Sequence, residues 1–217
     1  MSSFPGSPHL IKGGIVLINP ESSAIEKIIT LQYNPDTLTR TLQVKGTGGD
    51  SSNRSEALRL TGPPVETLKI EAEIDATDQM EVAESVTRQV GIQPQLAILE
   101  TIVYPRSSRL ISNNSLAQAG TLEISPNESS LTLFIWNKNR IIPVRITEFS
   151  ITEEAFDVNL NPLRAKVILG LRVLSIDDLG FSHKGGSLFM TYQQNKERLA
   201  GMFRAGSLGD LGINSIP

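Results

Sequence analysis

Leu68-Lys69-Ile70-Glu71-Ala72-Glu73-Ile74-Asp75 alternates without a break. Leu68, Ile70, Ala72 and Ile74 point one way; Lys69, Glu71, Glu73 and Asp75 point the other. A period of two belongs to a β-strand with one face in a core and one face toward water or a partner. The same period recurs on both sides. Upstream, residues 9–18 are apolar-rich and broken by Gly13-Gly14, which predicts a bulge or bend. Ile29, Leu31 and Tyr33 alternate with Thr30 and Gln32, Asn34-Pro35-Asp36 is turn chemistry, and Leu38, Leu42 and Val44 resume the alternation, so this pair reads as a hairpin. Downstream, residues 121–125, 131–136, 141–149 and 165–176 read as strands. Asn137-Lys138-Asn139 and Asn159-Leu160-Asn161-Pro162 supply the turns between them.

Helical patterns are fewer. Asp78-Gln79-Met80-Glu81 has the form of a capping box, with Val82, Val86 and Val90 behind it and Gly91 as the stop. A second helix is expected over 94–104, entered at Pro94 and striped by Leu96, Leu99, Ile102 and Val103. Residues 106–119 are polar and carry little pattern. Residues 187–205 place Leu188, Tyr192, Leu199 and Phe203 on one helical face, which docks either on its own β-domain or on a neighbouring protein. The expected fold is mainly β (α+β): a sheet closing into a barrel or sandwich, two flanking helices and a C-terminal helix. Three regions follow: a flexible arm at 1–9, a β-domain at 10–180, and a C-terminal helix with a Gly/Ser-rich tail at 181–217.

Composition removes several function classes. The 217 residues carry a net charge of −3, which argues against sequence-blind nucleic-acid binding. Cysteine is absent, so no disulfide, thiolate nucleophile or cysteine-type zinc site is available. The start lacks a charged and then apolar leader, and no apolar run approaches the roughly 20 residues that cross a bilayer. A cytoplasmic protein without membrane insertion is the expectation. The two histidines, His9 and His183, sit in loop-like contexts, and Gly-x-Ser-x-Gly is missing. The carboxylates at Asp75/Asp78/Glu81, Glu153/Glu154 and Asp177/Asp178 have structural readings as caps and turns. Gly46-Thr47-Gly48-Gly49 lacks the Gly-Lys-Ser/Thr of a phosphate loop. No catalytic, cofactor or metal residue is assigned, and no enzyme is expected.

Interaction residues are the better candidates. Residues 46–55 contain no apolar side chain and are long for a loop between paired strands, so Gly48, Asp50 and Arg54 are candidate inter-subunit contacts. Simple disorder is the other reading of that loop. Trp136, beside Phe134, reads as core or as a subunit contact, and Tyr192 and Phe203 are contact candidates on the C-terminal helix.

Several phrases, in this order and spacing, carry a resemblance. They are Leu31–Leu38, the segment 58–78 with Leu60-Thr61-Gly62-Pro63-Pro64, Glu100-Thr101-Ile102-Val103-Tyr104-Pro105, Phe134-Ile135-Trp136-Asn137-Lys138-Asn139-Arg140, Ile151-Thr152-Glu153-Glu154-Ala155-Phe156-Asp157 and Asn159-Leu160-Asn161-Pro162-Leu163-Arg164-Ala165. Over roughly residues 10–180 the chain resembles the tube-initiator or baseplate tube-adaptor proteins of contractile injection systems, the phage-tail-like particles. The resemblance implies a tail-tube-like fold and a ring, hexameric in the family, between the spike-bearing hub and the inner tube. It implies copies of the chain itself, the hub/spike protein and the inner tube protein as partners, with baseplate or sheath proteins beside them. Many members carry a C-terminal LysM module. About forty residues remain here after Asp178, too few for one, which puts glycan binding in doubt. A tube or terminal cap subunit of the same particle, and a stand-alone module binding a peptide or glycan, are the alternatives.

Overall fold

The computed structural model describes residues 10–46, 59–77, 80, 85–120 and 129–216. Seven strands form one antiparallel sheet: β1 (Gly14–Ile18), β2 (Ile25–Thr30), β3 (Leu38–Gln43), β4 (Val65–Asp75), β5 (Leu131–Asn137), β6 (Arg140–Phe156) and β7 (Pro162–Val173). Their order across the sheet is β2-β1-β5-β6-β7-β4-β3. The helices are α1 (Ser85–Val90), α2 (Gln93–Glu100), α3 (Ser107–Gln118), α4 (Ile176–Leu179) and α5 (Lys184–Ala200), followed by a 3-10 turn at Leu208–Leu211. The protein is mainly β with flanking helices. Among the described residues there is one sheet, and it is not closed into a barrel: its outer strands β2 and β3 do not pair with each other.

The expected hairpin between residues 29–33 and 38–44 is corrected by this order. β2 pairs with β1, with Ile29 opposite Ile15, and β3 pairs with β4, with Leu38 opposite Ile70. The two strands therefore lie at opposite edges of the sheet, joined by only seven residues, 31–37. A flat sheet would set its outer strands roughly 29 Å apart, six spacings of about 4.8 Å. That is about the whole reach of an extended chain from Thr30 to Leu38, and the bend at Asn34-Pro35-Asp36 shortens it. The sheet is therefore strongly curled. Gln32 shows how far: its side-chain amide donates to the Asp75 carbonyl at 2.7 Å and accepts from the Asp75 amide at 3.0 Å, pairing with the end of β4 as a strand peptide would. Asn34 holds the other side, accepting from the Gly13 amide and donating to the Ile11 carbonyl.

The main core lies on one face. Ile15, Phe134, Ile142, Val144, Val173, Leu171, Leu169, Ile70 and Leu68 follow one another across paired strands, and Ile92, Leu96, Leu99, Phe189 and Tyr192 cover them from the helices. A smaller cluster on Val16, Ile18, Leu131 and Leu133 is packed by Leu174, Leu179 and Leu188. β6 keeps its apolar side chains inward through a change of parity. Ile142, Val144 and Ile146 are even-numbered; Phe149 and Ile151 are odd. A bulge between Ile146 and Glu148 inserts Thr147 and makes the switch. Gly170 lies opposite Glu148, where a Cβ would meet the Glu148 Cβ at 2.7 Å. The bulge and the glycine are one device.

The helices differ from expectation in two places. Residues 107–118, polar and patternless in sequence, form α3, which buries none of its residues. The last helix begins and ends earlier than residues 187–205 suggested, and its buried stripe is Gly185, Phe189 and Tyr192. The proposed Asp78–Glu81 capping box lies outside the described residues. The Asp177-Asp178 turn is instead the start of α4, where Ser175 and Asp178 form a capping box.

Candidate functional site

The conspicuous polar feature is a carboxylate inside the protein. Glu66, on β4, is 2% exposed. Its neighbours come from both ends of the sequence. The Tyr192 hydroxyl donates to Glu66 Oε1 at 2.8 Å. Arg40 Nε stands 3.6 Å from the same oxygen, and Arg40 Nη1 donates to the Tyr192 hydroxyl at 3.3 Å. Lys196 Nζ lies 3.5 Å from Oε2 and 4.2 Å from the centre of the Tyr192 ring. A buried carboxylate persists only when paired and hydrogen-bonded. Here two cations and a hydroxyl share it, and β3, β4 and α5 are tied at one point. Local sequence explains the convergence. Arg40 sits diagonally across the β3–β4 ladder from Glu66, and Tyr192 and Lys196 are four apart, on one face of α5.

Burial, and next the Glu66 carboxylate, push the Tyr192 hydroxyl up to about 12. The folded state then keeps its proton where the unfolded chain, with tyrosine at its ordinary value near 10, has lost it. Stability from this group is full below pH 10 and is lost as pH rises to about 12. Alkaline unfolding followed by circular dichroism is expected to show this loss, and Tyr192→Phe is expected to flatten it between those limits. An unchanged alkaline slope in Tyr192→Phe contradicts the assignment.

The sequence-derived contact candidates are scattered. Gly48, Asp50 and Arg54 lie outside the described residues, although β3 and β4 do pair as the hairpin that the segment joins, extended by a bridge from Gly46 to Leu60. Trp136 is half-buried, packed on the core and stacked on Phe134 at 6.0 Å. Tyr192, expected to touch another subunit, is 2% exposed and enclosed by its own. Phe203 lies beyond α5 and is 80% exposed. Sequence reasoning missed Glu66 because an acidic residue just before a clean alternation reads as outward. Its even number, in phase with Leu68 and Ile70, was the available signal.

Three exposed features stand out on the sheet. The outer face of β4, β7 and β6 is a charged ladder, with Lys69–Glu148 at 3.2 Å, Arg164–Asp75 at 2.9 Å and Lys166–Glu154 at 3.9 Å. The two sheet edges carry exposed apolar side chains, Ile25 and Ile28 on β2 and Leu42 on β3. The turn from β6 to β7 presents Phe156, Val158 and Leu160, the last two 98% and 78% exposed.

That turn is not loose. Asp157 Oδ1 accepts from the amides of Asn159 and Asn161, and Oδ2 accepts from the Asn161 side chain. The Asn161 side chain and then its amide hold the Asp157 carboxyl below the usual carboxylate range. Asn161 also donates to the Gln89 carbonyl, and the Ile92 amide donates to the Pro162 carbonyl, so the tip rests on the turn between α1 and α2.

A groove of about 890 Å³ lies elsewhere, beside the segment from α2 to α3, the start of β5 and the middle of β6. His183 borders it and caps α5, accepting from the Gly185 amide through Nδ1. Among the described residues, no three acidic or histidine side chains converge as metal ligands, and no helix is long and apolar enough to cross a membrane.

No family model matches the chain, and no curated protein matches it. A solved structure described as "Tail of empty GTA particle computed with helical refinement, C6 symmetry" aligns over 75% of this chain and 90% of that chain, at 13% identity and a TM-score of 0.28. A likeness of that degree carries no argument about function.

Proposed function

We propose that this chain is a structural subunit of a contractile, phage-tail-like particle, in which copies form a ring between the hub/spike and the inner tube and template the growth of that tube. The reading rests on the resemblance of residues 10–180 and on one structural observation. Among the described residues, the curled sheet ends in two outer strands, β2 and β3, paired on one side only and carrying exposed Ile25, Ile28 and Leu42. Unpaired strand edges template pairing with further chains. In a curled sheet whose edges do not meet, a neighbour's strand completes the ladder, and heterologous contacts repeated around an axis close into a ring. In this reading the chain performs no chemistry and needs no cofactor. Hub, tube and sheath or baseplate proteins are its partners.

Electron microscopy of the purified chain at high concentration is expected to show rings of one diameter, and mass spectrometry is expected to find the chain in isolated particles. Ile28→Glu, an exposed edge position, is expected to leave the melting temperature within about 2 °C and to abolish the rings. A chain that forms no rings and is missing from particles overturns the reading.

A further inference from the structure

We infer that β3 of one copy pairs antiparallel with a free edge of β6 in the next copy, so that the run β6-β7-β4-β3 of successive copies forms one continuous sheet. The inference deepens the assembly reading above and rests on it.

β6 outruns its partner on one side. Its ladder with β5 stops at Val144, opposite Thr132, whereas its ladder with β7 continues to Phe156. The chain ahead of β5 is held the other way: the Ser130 hydroxyl donates to Glu26 on β2 at 2.6 Å. The groove opens where β5 and β6 part. Among the described residues, no strand meets β6 on its β5 side from Arg145 onward, and this stretch is a third free edge beside those of β2 and β3.

That edge is built like an inner strand. Natural edges are guarded by lysine, by proline or by a charge turned inward. Past the bulge, Glu148-Phe149-Ser150-Ile151-Thr152 carries none of these. Phe149 and Ile151 pack against the core, and Glu148, Ser150 and Thr152 turn outward. β3 has the same construction. Leu38 packs against the core, Thr39 and Thr41 turn outward, and the inward charge of Arg40 is met by Glu66. Laid side by side with faces matched, the two strands prolong the apolar face and the polar face together.

Direction selects the partner. Every ladder in the sheet is antiparallel, so strands alternate in direction along it. Copies related by rotation about an axis along the strands keep those directions. Two strands, β7 and β4, separate β6 from β3, so these two run opposite ways and meet antiparallel across copies. β2 runs the same way as β3, and a neighbour's β2 would make a parallel ladder, slightly less stable per residue. Within one copy β7 and β4 stand between β3 and β6, so one copy cannot make the pair itself. The contact joins unlike edges and repeats from copy to copy until the ring closes. The β2 edge is a surface separate from it.

The chain has no cysteine, so introduced ones report this contact alone. Thr39→Cys or Thr41→Cys protein is mixed with Ser150→Cys or Thr152→Cys protein and treated with a mild oxidant, with sedimentation run alongside. A disulfide-linked pair is expected from at least one of these mixtures, as the register decides, and from no protein alone. Its yield is expected to fall about tenfold when wild-type chain is added in roughly tenfold excess. A yield indifferent to wild-type chain, dimers from Ser150→Cys or Thr152→Cys alone, or linkage of Thr39→Cys to Ile28→Cys on β2 each overturn the pairing. Copies that co-sediment without cross-linking in any mixture overturn the pairing and leave the assembly reading standing. Copies that never co-sediment overturn both.

Discussion

Removing residues 184–217 is expected to lower the melting temperature of the isolated chain by roughly 15–30 °C. Phe189 and Tyr192 belong to the main buried core, and replacing a buried aromatic side chain typically costs about 3–5 kcal/mol. Glu66 loses two of its three partners at the same time. Net stabilities of domains are about 5–15 kcal/mol, so the truncated chain approaches the unfolded state at ordinary temperature. The check is a thermal melt of monomeric protein. A change under about 5 °C would show that α5 is dispensable to its own subunit. Tail residues beyond Ala200, which include exposed Phe203 and Leu211, are expected to be removable without this loss.

Gly91→Ala is expected to cost about 3 kcal/mol, from left-handed strain of about 1–2 kcal/mol and a disturbed backbone hydrogen bond. Gly91 turns the chain from α1 into α2 at φ +59°, and a Cβ there would stand 2.2 Å from the Pro162 carbonyl oxygen. That oxygen accepts from the Ile92 amide at 2.9 Å, so it cannot retreat without breaking the bond that seats the β6–β7 turn. Gly212 is the control. It has φ +70° with nothing within 4 Å of a Cβ, so alanine there meets the strain alone. Chemical denaturation of both variants separates clash from strain. Equal losses would mean that the Pro162 contact carries no weight.

Strands were legible wherever one face is buried. The alternation at 68–75 became β4 with Leu68, Ile70, Ala72 and Ile74 all buried. Pro94 and Gly91 marked the start and stop of helices because each acts through its own backbone. Partners were not legible. A period of two in residues 29–33 and 38–44 states which side chains point inward, not which strand lies alongside, and proximity in sequence suggested a hairpin that the sheet does not contain. α3 escaped because a helix with no buried residue leaves no apolar period to detect. The apolar stripe that holds Tyr192 suited packing on its own β-domain as well as on a neighbour; the Glu66 carboxylate that settles Tyr192 inside its own subunit lies 126 residues away.

The order of strands across the sheet also sets a schedule. β1 and β4 each lie one strand in from an edge of the sheet, yet their inner neighbours arrive late: β5 meets β1 about 120 residues downstream, and Asp75 of β4 meets Arg164 of β7 89 residues downstream. During synthesis only the local pairs β1–β2 and β3–β4 can form, each a two-stranded ribbon with little independent stability. The β6–β7 hairpin is the first long local pairing, and it emerges when most of the chain is already exposed. Such a topology closes many long loops at once, which slows folding and lengthens the time that apolar ribbons spend uncovered. A chain of this kind completes itself from its C-terminal half backwards, and its N-terminal strands are the last to be covered.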